Sequence, residues 1–320
     1  MYLLLTKRYA AGGYDTASVF FESKMVKLNS IVFFAGLALL AAGCSNESEE
    51  TVINNQAPVC VHVDGFKVSQ ESLSRVTRAV QNVADYDGVN ALTLAFYNGS
   101  TEVEKITQVK TSMPEGKTFG EFECSLPMGS YTMVVVAYKT IDGSPFTLTS
   151  PTAATFTGDH AFESFVYTQS VTISNNNPVD IGATLERIVS LLRVISTDGK
   201  TANVTNVRMT FSAGGKDFNP TTGLAITNTG FANMVGNSAE EGAKSSSMSF
   251  LFLATDEQKM DVKIETLDAD GNTLFCETVK DVSFKRNYVT KLTGAMYSNS
   301  SISGGFKVET EWITFEEKNF

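Results

Sequence analysis

The sequence predicts an all-β protein of the sandwich or barrel kind. Apolar and polar residues alternate in many short runs, as strands with one buried face require. Asp-Gly pairs fall between those runs at Asp87-Gly88, Asp142-Gly143, Asp198-Gly199 and Asp270-Gly271, and such pairs favour tight hairpin turns. The chain also holds 22 Phe and 10 Tyr but only 7 Pro among 320 residues. Many short strands with turn signals and little helical periodicity mean sheets packed on sheets.

The elements follow in chain order. Residues 1–24 fit no secretory pattern and are expected to be an upstream extension, with Met25-Val26-Lys27 as the natural start of a charged leader. The apolar run Ile31 to Ala42 is twelve residues long and ends in Gly43 and Cys44. That is too short to span a bilayer core of about 30 Å and has the form of a secretory signal, here residues 25–43. Leu40-Ala41-Ala42-Gly43-Cys44 resembles a bacterial lipobox. The resemblance implies that a thioether diacylglycerol, with acyl chains such as palmitate, is added to Cys44 and that the peptide is cut before it. Several acyl chains, each contributing about 0.8 kcal/mol per buried CH₂, make a firm membrane anchor. Residues 44–56 are polar and acidic and read as a flexible tether. Glu47, Glu49 and Glu50 also resemble a surface-export signal of lipoproteins.

From Pro58 the pattern is β. Val59, Val61 and Val63 alternate with Cys60, His62 and Asp64. Further strands are expected at 91–97, 103–109, 118–126, 131–138, 162–173, 204–212, 248–253, 259–267, 273–279, 288–296 and 306–315. Leu185 to Ile195 suits either a helix face or a buried strand. Asn175-Asn176-Asn177-Pro178 is a strong breaker, so a domain boundary is expected near 180, with one sandwich over 57–180 and a second over 181–320. The glycine-interrupted stretch from Gly214 to Ser247 is expected to be a surface excursion with short strands, or a functional loop.

Composition excludes several functions. The chain carries −10. Residues 1–44 hold four bases (Lys7, Arg8, Lys24, Lys27) and two acids (Asp15, Glu22), so the 276 residues after Cys44 carry −12. An acidic chain with no basic run argues against nucleic acid as a partner. With Cys44 acylated, Cys60, Cys124 and Cys276 remain; they suit small core residues, and a Cys60–Cys124 bridge stays open. Cys60, His62 and Asp64 could share one strand face, but a fourth metal ligand is missing. Asp268-Ala269-Asp270-Gly271-Asn272 looks faintly like a calcium loop, yet Gly271 is fourth rather than sixth and Val279 stands where glutamate is needed. There is no phosphate loop, nucleophile elbow or Cys/His pair. No cofactor is implied, and nothing supports an enzyme.

Three local patterns, in order, carry a family resemblance: Gly129-Ser130-Tyr131-Thr132-Met133-Val134-Val135-Val136-Ala137-Tyr138, Leu185-Glu186-Arg187-Ile188-Val189, and Arg286-Asn287-Tyr288-Val289-Thr290-Lys291-Leu292-Thr293-Gly294. With the lipoprotein leader they make the chain resemble the FimA/Mfa-like fimbrillins, subunits of type V pili. Ser190 departs from the alanine common in that family. The resemblance implies two transthyretin-like sandwiches in tandem, an outer-membrane lipoprotein precursor, and a fimbrium that supports adhesion. It implies as partners an arginine-specific protease and other pilus subunits joined by strand exchange. The expected cut is Arg78–Ala79, with Arg75 second. Phe306, Val308, Thr310 and Trp312 alternate with charged residues, as a half-buried strand would. That strand is either the donor to the next subunit or the closing strand of its own domain. Shaft, anchor and tip roles all remain open, as does a surface lipoprotein that binds glycan or protein without polymerising.

Overall fold

In the computed structural model the described residues are 55–72, 75–140, 146–298 and 305–312, and for 68–81 and 312 the backbone alone. The first ten strands are β1 (Gln56–Ser72), β2 (Arg75–Gln81), β3 (Ala91–Asn98), β4 (Thr101–Val109), β5 (Glu121–Pro127), β6 (Gly129–Tyr138), β7 (Phe146–Ser150), β8 (Ala153–Phe156), β9 (Ser164–Ile173) and β10 (Val179–Arg187). The next ten are β11 (Ser190–Ser196), β12 (Asn206–Phe211), β13 (Asp217–Asn219), β14 (Leu224–Ala225), β15 (Phe231–Gly236), β16 (Ser246–Leu251), β17 (Glu257–Leu267), β18 (Thr273–Lys285), β19 (Tyr288–Gly294) and β20 (Lys307–Trp312). The protein is all-β.

The first sheet runs β2-β1-β10-β9-β6-β3-β4, with β5 also on β1. Its β9–β10 ladder holds at only two positions, Val166 with Glu186 and Phe165 with Arg187. The sheet therefore folds over at this corner. Its two arms close on one apolar core, in which Val59, Val61, Phe66 and Ile181 from β1 and β10 meet Leu94, Phe96, Val135 and Phe165 from β3, β6 and β9. At the opposite corner Gln108 of β4 ties the arms: its side chain donates to the Glu121 carbonyl at 2.6 Å and accepts from the Gly120 amide at 2.8 Å.

The later strands form two four-stranded sheets, β16-β11-β19-β20 and β15-β12-β17-β18. They face each other across Leu192, Val194, Met209, Val262, Phe284 and Leu292. This second sandwich repeats one feature of the first. An early strand lies parallel to a late one: β1 beside β10, and β11 beside β19.

A third element joins them. The β7–β8 hairpin pairs with β13–β14 in a sheet ordered β14-β13-β8-β7. Beneath it lies a core drawn from both parts of the chain: Tyr97, Val134, Phe156 and Val166 with Ile188, Phe218 and Phe252. Aromatic rings dominate it, with Phe218 and Phe252 stacked at 4.5 Å. The described residues hold together as one compact unit.

Several details differ from the sequence pattern. Leu185 to Ile195 is two strands, because both faces of β11 are buried and no solvent side remains for a helix. β10 belongs to the first sheet, so the chain changes sheets at Ser190, later than the boundary expected near 180. β18 continues past Val279 to Lys285. The alternation breaks there because Asp281 takes a left-handed φ of 53° in a bulge between the Met260–Val282 and Val262–Val279 pairs. The 214–247 excursion contains β13, β14, β15 and the start of β16.

Candidate functional site

β1 is paired on both sides through its first half and buries one face. Residues 59–62 pair with β10 on one side and β5 on the other. Its inward residues Ala57, Val59, Val61, Val63 and Phe66 are buried. A bulge between Val63 and Gly65 turns the strand, and beyond it β1 pairs with β2 as a hairpin. The stretch that holds the expected cut is thus a strand at the sheet's edge. Arg75 lies opposite Ser72, Arg78 opposite Ser69, and Ala79 opposite Val68. Cys44, the leader and the tether as far as Asn54 lie outside the described residues.

The C-terminal strand pairs with its own chain. β20 runs antiparallel to β19 as the outer strand of its sheet. Phe306 is buried just before it, against Gly294, where an added Cβ would come within 2.8 Å of the ring. Val308 and Thr310 are exposed, so the alternation expected there does not correspond to a buried face. An edge strand has a neighbour on one side only, and its side chains rest on nothing beyond that ladder. The Trp312 side chain lies outside the described part.

A polar network sits where the two sandwiches meet. Arg187, at the end of β10, is fully buried and bonds Glu163 at 2.9 Å. It donates to the Tyr86 hydroxyl at 2.9 Å and to the Asn287 amide oxygen at 3.0 Å. Its guanidinium lies 5.0 Å over the Phe165 ring. Tyr86 also donates to Glu163. Burial pushes the Glu163 carboxyl up to about 7, although Arg187 beside it pulls the other way. Asn287 sits in the β18–β19 turn with φ 65°, a conformation asparagine tolerates, and its backbone N–H donates to the Val189 carbonyl at 2.8 Å. Arg187 and Asn287 both fall in the motifs singled out from sequence; their meeting 100 residues apart could not be read there.

Beside this network is a cleft of about 610 Å³. Strands β9 and β10 form its floor with Lys67 of β1, and the Pro220–Gly223 turn and the Arg286–Asn287 turn form its rim. Sequence reasoning did not find it, since its parts come from five separate stretches.

The remaining candidates take structural places. His62 pairs with Asp180 at 2.9 Å across the β1–β10 ladder, and no group of three metal-binding side chains occurs among the described residues. Cys60, Cys124 and Cys276 are free. Val59, not Cys60, lies opposite Cys124, so the register aims the two thiols at opposite faces and argues against the bridge left open by sequence. Burial pushes the Cys124 thiol up to about 11, with Glu104 and Cys60 adding to it. His160 stacks on Phe162 at 5.9 Å. Asp268 caps its own turn, accepting from the Asp270 and Asn272 amides at 3.0 and 2.8 Å.

Comparison with known proteins gives distant likenesses in structure. A candidate adhesin from Bacteroides ovatus is 11% identical, with a TM-score of 0.47 over 75% of this chain and 88% of that one. The fimbrial anchor protein Mfa2 from Porphyromonas gingivalis is 10% identical, with a TM-score of 0.45 over 81% of this chain and 98% of that one. The tip fimbrial protein Mfa3 from the same organism is 12% identical, with a TM-score of 0.39 over 81% of this chain and all of that one, at 100%. No curated protein matches in sequence. The model of a family of unknown function, DUF6562, matches residues 64–315. The chain therefore belongs to the DUF6562 family.

Proposed function

We propose that the chain is a structural subunit of a surface fimbrium, exported as an outer-membrane lipoprotein on Cys44 and joined to its neighbours by strand exchange. The observation that carries this reading is the position of β1. Its five inward side chains fill the first core while both its edges are paired. A cut at Arg78–Ala79 would free β1 from the rest of the chain. Its departure would leave an apolar groove and the unpaired edges of β10 and β5. A strand from another subunit restores both kinds of contact. Each large side chain it buries is worth roughly 1.5–3 kcal/mol, so three or four hold a polymer firmly. β20 is suited to donation, since Val308 and Thr310 are exposed and its backbone pairs on one side. Because Arg78 lies within the β1–β2 ladder, the protease acts after that hairpin frays.

The intact pairing of β1 favours a second reading, in which the strand and the lipid are both kept. The chain then serves as an anchor or as a surface lipoprotein that does not polymerise. Sequencing the N-terminus of the high-mass fraction sheared from cells separates the two. A start at Ala79 or Val76 in polymers supports the polymerising subunit. Acylated Cys44 as the sole N-terminus, with no polymer, rules it out and leaves the second reading.

A further inference from the structure

The cleft at the meeting of the sandwiches has hydrogen-bonding capacity that the protein does not spend. The β9–β10 ladder ends at Val166 and Glu186. Thr168 and Thr184 flank the point where it would continue, and both line the cleft. Their hydroxyls and the side-chain NH₂ of Asn287 have no hydrogen-bond partner among the described residues. By strand alternation Thr184 and Glu186 lie on one face, and Lys67 lies opposite Glu186 in the β1–β10 register.

The charges here are already matched. Lys67 holds Glu186 at 2.6 Å, Arg286 holds Asp256 at 2.7 Å, and Arg187 holds Glu163 at 2.9 Å. No cation is left over for an anionic ligand. What remains is a set of uncharged donors and acceptors. That set suits a neutral molecule rich in groups that both donate and accept. The walls are held in place beforehand: Arg286 donates to the Thr222 carbonyl at 3.0 Å, and Arg187 fixes Asn287. Such preorganisation lowers the entropy lost on binding, and the volume lies within the usual range for small-ligand sites.

We propose that this cleft binds a neutral saccharide. The proposal stands whether or not the chain polymerises, because it uses neither β1 removal nor the lipid. The test applies the full chain to an array of neutral, sialylated and sulfated oligosaccharides, then measures the best neutral binder by calorimetry at low and raised salt. The expected result is binding of neutral sugars that survives salt. The double variant Thr168→Val, Thr184→Val should melt with the parent and bind about tenfold more weakly, as loss of one or two hydrogen bonds requires. If that variant fails to fold, Asn287→Asp, which keeps the oxygen that accepts from Arg187 and removes the NH₂, should show the loss instead. Absence of neutral binders overturns the proposal. So does equal binding by a folded double variant, or binding confined to sulfated sugars and abolished by salt.

Discussion

At Arg187 a fully buried guanidinium is compensated by a carboxylate, a phenol, an amide and an aromatic face. Removing it strands Glu163 in the interior. Arg187→Met should therefore cost about 3–5 kcal/mol in urea unfolding. Arg187→Met with Glu163→Leu should recover most of that, because burying two matched ions contributes little net stability; a single variant as stable as the parent would refute the account. Glu265 makes the opposite case for pH. The Arg208 guanidinium at 2.8 Å, with Lys263 at 3.0 Å, holds its carboxyl down at about 2. A carboxyl depressed in the folded state binds fewer protons there than when unfolded. Its stabilisation is complete above the ordinary value of 4.5 and is lost as pH falls toward 2. Arg208→Ala should leave stability at pH 4 lower by on the order of 2 kcal/mol and flatten the acid limb between those values. An unchanged acid limb would mean the pair is solvated.

At the scale of elements, β20 is held by its ladder to β19, by Phe306 at its base and by the Lys291–Glu311 pair. Gly294→Val should unseat Phe306 and loosen β20 while the sandwich behind it stays folded. Limited proteolysis should then clip the chain before Lys307, with a stability loss of about 1–3 kcal/mol; an uncut chain would show that the ladder alone retains the strand. Strand existence was legible wherever one face is buried and the other wet, as in β5 and β12. It was less legible in β11, where both faces are covered, and in β2, whose residues carry no alternation in the sequence. The short β13 and β14 were hidden because a two- or three-residue strand has no period to detect.

For the whole molecule the shared aromatic core sets the cooperativity. Phe218 is fully buried among residues from both sandwiches, so the two parts should unfold together. Calorimetry of the chain should give one transition. Phe218→Ala, costing about 3–5 kcal/mol, should lower that transition or split it in two. Two well-separated transitions in the parent would show that the sandwiches are independent.

The sequence by itself determined the strand-rich class, because period-two patterning and Asp-Gly turns act locally and need no partner to be read. It also raised the expectation of a leader ending at Cys44 and of processing at Arg78 or Arg75, since short linear signals are read as text. Tertiary structure alone decided which edges are covered, that Arg78 lies in a hairpin ladder, and that Cys60 and Cys124 face apart. It alone brought Arg187 to Asn287 and placed Thr168 beside Thr184 at the end of a two-rung ladder. These depend on register between strands far apart in the chain. A shift of one residue would reverse every one of those faces while leaving the sequence pattern unchanged.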